Sequence, residues 1–497
     1  MFVQDASKLL IIARNIKNVF APINRIPPEV LSLIPDYCSR SEFVALTHVC
    51  RSWRRSLISR ASLWTFLNCM DLDQTRTYLE RSKTSPLEIR VEEEHVEEEH
   101  VPHGAFLLAI AHTHRLKALT LVGRLRSILE LAEHLVSLIS PAPLLEKLEI
   151  HVWGSRHAAI ESTLFDGDLQ SLRELRLHGV ITDLPWKNLS NLTIFYIRQI
   201  PDNGISVTRL LDFFEHAPLL RKIKLMDSLP DFSDAPTQRV VSLPHLRLLK
   251  MSSKSALSIL LNHLRIPTGT SVTLEFLFYY EPSPLLDYLP LSLDTLGNIS
   301  HITSVRVNFG PAVTLLLEGP SGDLFIIDSC VDFSASIDRF LRCLNRLPIS
   351  SAETLEIALG DTSGLSDLNE YTTSKTLIVM NNVRTLTFND CPNPAFICVL
   401  NPNRNTSNTV MCPKLEELIL YTHTRPEESY VTELLEMARE RALRGAKLST
   451  FVINCPQELD PTDTVFGLRG HVSRVEHQLA AEIYYPNPAA VRGTPIE

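Results

Sequence analysis

Nothing in this sequence has the form of a phosphate-binding loop, a nucleophile elbow or a dinucleotide turn: G-x-x-x-x-G-K-[ST], G-x-S-x-G and G-x-G-x-x-G are all absent. Their absence argues against a nucleotide or acyl-transfer enzyme, and the chain reads as a non-enzyme. No apolar run reaches the length that spans a bilayer, so no membrane partner is expected. The nine cysteines, at 38, 50, 69, 330, 343, 391, 398, 412 and 455, are odd in number and contain no C-x-x-C. They read as reduced thiols of a cytoplasmic and/or nuclear protein. A basic excess is missing as well. Net charge is −9, but six acids sit in one tract at 92–94 and 97–99, and without them the balance is −3. Nucleic acid is therefore not an expected partner.

That acidic tract is a tandem duplication, Val91-Glu-Glu-Glu-His95 followed by Val96-Glu-Glu-Glu-His100, with His103, His112 and His114 nearby. His and carboxylate ligands suit zinc. However, H-E-x-x-H is absent, and the duplication falls between a strand at 87–91 and the next helix. It reads as a solvated loop insertion, with no metal and no cofactor. The N-terminal patch Leu9-Leu10-Ile11-Ile12 is short, runs into Arg14 and Lys17, and lacks a small-residue cleavage site, unlike a secretory signal. A helix packing on the adjoining residues is the plainer reading; an amphipathic presequence is the other.

What is present is ordinary for a soluble globular protein, 44% hydrophobic and 21% charged. The length suggests about three domains unless repeats make one long unit. Near the N-terminus, Pro27 and Pro28 suit a helix start, and Glu29 in the first turn suits its dipole. Val30, Ile34 and Tyr37 then share a helical face, with Pro35 closing or kinking the helix. A second helix, capped by Ser41 or Ser39, carries Phe43, Leu46, Cys50, Trp53 and Leu57 as one apolar stripe at steps of 3 and 4. Leu63 and Trp64 come next as packing residues. Taken alone, this pattern is a small three-helix bundle.

The order Pro-x-Glu-Val-Leu, then Val-Cys-Arg-x-Trp, then Leu-Trp over residues 23–67 resembles the F-box family. The resemblance implies docking to a Skp-type adaptor, and through it to a cullin–RING ubiquitin ligase. By that resemblance the adaptor-binding residues are Ile26, Pro27, Glu29, Val30, Leu31 and Ile34, with Val49 and Cys50 nearby. Leu31 is expected to be an exposed anchor, and Trp53 and Trp64 to hold the module together. The sequence departs from the family at Ile26, where leucine is usual, at Pro35, and at Glu42-Phe43, where Asp-Leu is usual.

From residue 116 an apolar-x-x-apolar-x-apolar motif recurs. It is carried by Leu116-Leu119-Leu121, Leu145-Leu148-Ile150, Leu172-Leu175-Leu177, Leu192-Phe195-Ile197, Leu220-Ile223-Leu225, Leu246-Leu249-Met251 and Ile302-Val305-Val307. Val383-Leu386-Phe388, Leu415-Leu418-Leu420 and Leu448-Phe451-Ile453 continue it, with weaker copies at Leu274-Phe276 and Leu355-Ile357. Starts at 116, 145, 172, 192, 220 and 246, and again at 383, 415 and 448, place neighbouring copies 20–33 residues apart. The motif resembles divergent leucine-rich repeats, and Val383 to Cys391 fits the longer form with a terminal cysteine. Helical spacing lies between strands at Leu125-Ile128-Leu129-Ala132, Val207-Leu210-Leu211-Phe214 and Val431-Leu434-Leu435-Ala438, the last followed by the helix stop Gly445. Around Gly319-Pro320-Ser321-Gly322 a hairpin interrupts the ladder. A doubly wound α/β domain is the alternative architecture. The whole layout resembles fungal F-box-like proteins with such repeats.

The expected fold is α/β: a small N-terminal helical F-box module followed by a right-handed β/α leucine-rich-repeat solenoid. The parts are an N-terminal segment (1–21), the module (22–68), a linking segment with the acidic insertion (69–103), the solenoid (104–480) and a tail (481–497). On each strand the residues between the apolar ones face outward. Among them Arg176, Tyr196, Lys222, Lys224 and Lys250 form the candidate partner-binding set, fit for an acidic or phosphorylated segment. The plain alternative is that these charges only solvate an exposed sheet. The layout implies a substrate receptor of an SCF-type ubiquitin ligase, holding an unidentified target protein. The alternative is a repeat scaffold whose F-box-like module no longer binds the adaptor.

Overall fold

The computed structural model describes residues 9–92 (less 11, 15, 18, 19, 32 and 70), 103–124, 141–153, 158–160, 165, 169–182, 189–199, 205–227, 238–253, 257–276, 289–310, 312–329, 333–359, 370–389, 394–405, 408–422, 428–455 and 464–479. Most of the acidic tract, the helix expected at 125–132, Cys391 and the tail 481–497 lie outside them. The fold is mixed α/β, with a small helical region at the N-terminus and mostly parallel sheet after it. The chain divides into two compact units, Met1–Ile200 and Pro201–Glu497.

The first unit carries β1 (Phe66–Asn68), β2 (Leu87–Glu92), β3 (Leu116–Arg124), β4 (Lys147–Trp153), β5 (Ala158–Ile160), β6 (Glu174–His178), β7 (Val180–Thr182) and β8 (Ile194–Arg198). β1, β2, β3, β4, β6 and β8 pair side by side in that order, all parallel, while β5 pairs with β7. The sheet thus starts at Phe66, inside the segment expected to be purely helical, and the linking segment supplies β2.

The second unit carries β9 (Lys222–Met226), β10 (Val241–Ser242), β11 (Leu248–Ser253), β12 (Leu264–Arg265), β13 (Thr270–Phe276), β14 (Ser304–Phe309), β15 (Val313–Gly319) and β16 (Gly322–Asp328). It continues with β17 (Thr354–Leu359), β18 (Thr385–Asn389), β19 (Glu417–Tyr421), β20 (Thr450–Cys455) and β21 (Arg474–Leu479). The last two apolar residues of every recurring motif fall on a strand; the first, except Leu116, lies two residues before it, and all are buried. Equivalent positions also pair with each other: Leu148 with Leu175, Leu175 with Phe195, Ile223 with Leu249, and Leu386 with Leu418. The weak copy at Leu274-Phe276 is two residues late. Val272 and Leu274 pair with Leu249 and Met251. A period of two keeps all three side chains on one face, so alternation cannot say which pair is equivalent.

The hairpin is present, but it extends the ladder rather than interrupting it. The strand order runs β13-β16-β15-β14-β17, so chain order and spatial order part company. β15 is antiparallel to both neighbours. Gly319 and Gly322 flank the tip. A side chain at Gly319 would strike the His301 carbonyl, and Gly322 has φ +126°. Two long connections result. The second contains the helix Phe333–Arg346, whose Arg346 donates to the carbonyls of Leu289, Pro290 and Leu291 in the first. On the same helix Arg339 meets Asp328 at 2.7 Å, both almost fully buried.

Helices cover the apolar face. Phe340 packs edge-on against Phe309 of β14 at 5.3 Å, and Phe396 of helix Pro394–Leu400 against Phe388 of β18 at 5.4 Å. Each buried side chain of this kind contributes about 1.5–3 kcal/mol by removal from water. The expected helix at 207–214 spans Val207–His216, and that at 431–438 spans Glu428–Leu443. Gly445 comes after the latter at φ +78°, with Ala446 N–H donating back to the Arg441 carbonyl.

Candidate functional site

The N-terminal helical region is built from short pieces. Helix Pro28–Leu31 stops after one turn, and a 3-10 turn, Ile34–Tyr37, comes next with Pro35 buried inside it. Proline at 35 has no N–H for an α-helical bond, so the expected single helix is split. Ser39 caps the next helix, Arg40–Leu46, in a reciprocal box: its N–H donates to Glu42 Oε2 at 2.7 Å, and Glu42 N–H to its Oγ at 3.4 Å. Hydrogen bonds to its carboxylate from the Ser39 side chain, and then from the Ser39 N–H, hold the exposed Glu42 carboxyl below its ordinary range. The stripe expected on one helix from Phe43 to Leu57 lies on two. The chain breaks at 47–50, where Thr47 Oγ1 donates to the Val44 carbonyl, and restarts as Arg51–Ser59. Such a side-chain bond competes with helix continuation.

The stripe still packs. Trp53 and Leu57 form a core cluster with Leu31, and Ile26, Ile34, Leu46, Cys50 and Leu63 close around it. This corrects one expectation. Leu31, expected to be exposed, is 4% exposed and belongs to the interior. Ile26, Ile34 and Cys50 are partly buried against it, whereas Pro27, Glu29, Val30 and Val49 are exposed. Further apolar residues are exposed here: Leu33 at 50%, which the helical pattern does not single out, and Tyr37 at 91%, which that pattern sets on one face with Val30 and Ile34. Once Pro35 ends the helix, Leu33 turns away from the cluster, and the position of that proline was the available signal.

Trp64, in the turn Ala61–Trp64, joins this region to the start of the sheet. Its indole N–H donates to the Leu57 carbonyl at 3.0 Å. The ring lies 4.8 Å from Phe43 and 5.0 Å from Tyr78, and the Arg81 guanidinium covers it at 4.3 Å. Tyr78 and Arg81 belong to helix Leu72–Ser82, which runs into β2.

In the first unit, outward charges pair along and across strands. Lys147 meets Glu149 at 2.9 Å and Glu174 at 4.0 Å, and Arg176 meets Glu174. Tyr196 stands beside Arg176 in register. One step along the strands, His151 stacks on His178 at 3.9 Å, and His178 Nε2 lies 2.8 Å from Gln199 Oε1. Burial, and then His178, push the His151 imidazole down to about 4. In the second unit Lys224 and Lys250 are direct lateral neighbours, both half-buried, with Lys222 exposed beside them. The structure therefore places the five residues of the expected set in two groups, Arg176 and Tyr196 in one unit and the three lysines in the other.

Burial pushes the Cys69 thiol up to about 12 and the Cys412 thiol to about 11, so neither is a thiolate at neutral pH. Among the described residues, no three His, Cys, Asp or Glu side chains are grouped to hold a metal ion, and no helix is long and apolar enough to cross a membrane.

Residues 23–70 match the family described as F-box-like. No curated protein matches the chain.

Proposed function

We propose that this protein is a substrate-recognition subunit of an SCF-type ubiquitin ligase. The F-box-like match over 23–70 carries this reading, because F-box domains generally bind Skp-type adaptors. The exposed Pro27, Glu29, Val30, Leu33, Tyr37 and Val49 supply its adaptor face. The in-register parallel strands support a divergent leucine-rich-repeat solenoid, whose outward face would hold the target. No covalent step falls to the chain. A tethered target meets the ubiquitin-loaded enzyme at raised effective concentration. The cytoplasm and/or nucleus is the compartment this implies.

The test is co-expression of the full chain with a Skp-type adaptor and cullin, followed by affinity purification. Stoichiometric adaptor supports the receptor, and its loss with Val30→Asp or Leu33→Asp in a folded chain places the contact. One observation favours the scaffold reading. Helix Pro28–Leu31 is a single turn with Leu31 facing inward, which shortens the surface an adaptor can grip. A folded chain that never captures adaptor would establish that alternative.

A further inference from the structure

The β15–β16 hairpin changes what the second unit's sheet presents on its partly exposed face. Taken across the strands through the pairing register, one row runs Lys224, Lys250, Thr273, Phe325, Leu316, Arg306, Glu356. Were β13 to meet β14 directly, the row would pass from Thr273 to Arg306 with nothing apolar between. The hairpin inserts Phe325 opposite Leu316, and Ile327 succeeds Phe325 on the same face; all three are half-buried. Two residues back along the same strands, Asp323 lies directly opposite Glu318. Like charges at opposed positions are unfavourable in a sheet, and a cation relieves them. Arg306 does not serve, being engaged with Glu356 at 2.6 Å. Two other acids stand near the lysines, the buried Glu275 and Asp227, which accepts from Ser252 Oγ, and Lys224 is itself engaged. The face therefore offers Lys222 and Lys250 as cations, is apolar at Phe325 and Leu316, and is acidic beside that apolar centre.

We propose that this face binds one extended peptide segment of a partner, reading acidic, short spacer, bulky apolar, basic. The acidic positions are carboxylates or phosphates. Neighbouring strands lie about 4.8 Å apart, so Lys250 to Phe325, two strand steps, is about 10 Å. An extended chain covers that in about three residues. The hairpin is thus a specificity element: it sets the distance between the acidic and the apolar residue that fit. The identity of the segment as part of a ubiquitination target rests on the receptor reading above, but the binding does not.

The probe is a fluorescein-labelled twelve-residue peptide with Asp-Asp, a three-residue spacer, then Leu-Phe-Lys. Companions are a phosphoserine version, a scramble of the same composition and a Lys-Lys version. Anisotropy with the full chain should give saturable binding of the aspartate or the phosphoserine peptide, and the tighter of the two identifies the source of negative charge. Phe325→Ser and Lys250→Glu should each weaken it about tenfold or more, and Asp323→Asn severalfold. The Lys-Lys peptide should bind Lys250→Glu better than the unmodified chain, which a folding defect cannot produce. No saturable binding by either acidic peptide, or equal binding of the scramble, overturns the proposal. So does a chain that sediments as a dimer and becomes monomeric with Phe325→Ser, because a second copy is then the occupant. Adaptor capture is measured on the same variants. An unmodified chain that binds the peptide but captures no adaptor defeats the receptor reading alone, and one that captures adaptor but binds neither acidic peptide defeats this proposal alone.

Discussion

Replacing Trp64 with alanine should open the N-terminal helical region while leaving its proposed adaptor face chemically unchanged. The indole is 1% exposed, so its removal leaves a cavity worth about 3–5 kcal/mol with the lost transfer energy. Its N–H bond to the Leu57 carbonyl goes as well, about 1 kcal/mol. That carbonyl is among the last of helix Arg51–Ser59, which have no partner within the helix. The contacts to Phe43, Tyr78 and Arg81 are lost with the ring and overlap with the cavity term. The sum is about 5 kcal/mol. Trp64→Phe retains much of the packing and should cost about 1–2 kcal/mol. Because the chain has two compact units, one melting transition does not isolate the effect. Hydrogen exchange of peptides across residues 40–82 does. With Trp64→Ala, amides that open with this region should exchange about three orders of magnitude faster, and with Trp64→Phe about tenfold. If Trp64→Ala abolished adaptor capture while exchange across 40–82 stayed unchanged, the indole would be a contact residue and the packing argument wrong.

The same assay separates Leu31 from Leu33. Leu31→Ala, which empties a place beside Trp53 and Leu57, should destabilise the region by about 2–4 kcal/mol, whereas Leu33→Asp should leave exchange unchanged and reduce adaptor capture at least about tenfold. Asp328→Asn breaks a buried ion pair and leaves Arg339 charged in the interior; about 3–5 kcal/mol of local stability should be lost, read as faster exchange in β16 and helix Phe333–Arg346. His151 titrates near 6.5 when unfolded and near 4 when folded, so the unfolded chain binds more protons between these values. Stability of the first unit should therefore fall as pH drops from about 6.5 to about 4 and not further on this account, by about 1 kcal/mol once the ring's exposure is discounted. His151→Gln should flatten that slope in exchange measured at pH 7 and pH 5.

The strands that carry the recurring motif were legible because each is written twice, once in its alternation and once in its likeness to its neighbours; β1, β5, β7, β10, β12 and β21 carry no copy of it and were not. Leu148, Leu175 and Phe195 can be assigned to one buried row from spacing alone, and the register pairs them so. Even the hairpin showed in Gly319 and Gly322. Its place in the sheet did not, because an apolar alternation says which face a strand buries and nothing about which strand lies beside it. Phe325 and Leu316 thus do not stand out in the sequence as surface residues, and their adjacency to the lysines arises only from the pairing of β13 with β16. Leu31 failed for a different reason. A helix of one turn is too short for periodicity to define a face, and the break at 47–50 rests on a local Thr47 bond that no spacing rule records.

The permuted strand order also has a consequence on the ribosome. β13 is complete at Phe276, but the strand that covers its open edge, β16, begins only at Gly322. At about 5–20 residues per second, that edge waits roughly 2–9 s during synthesis. β14 emerges first, with the same direction and the same apolar alternation, and is the partner a regular ladder would accept. A nascent chain that takes it would leave the hairpin expelled from the sheet, although β17 could still pair with the other edge of β14. The correct sheet must therefore be assembled by delay: β13, paired with β11 on one side, keeps its other edge open while two later strands fold back to it.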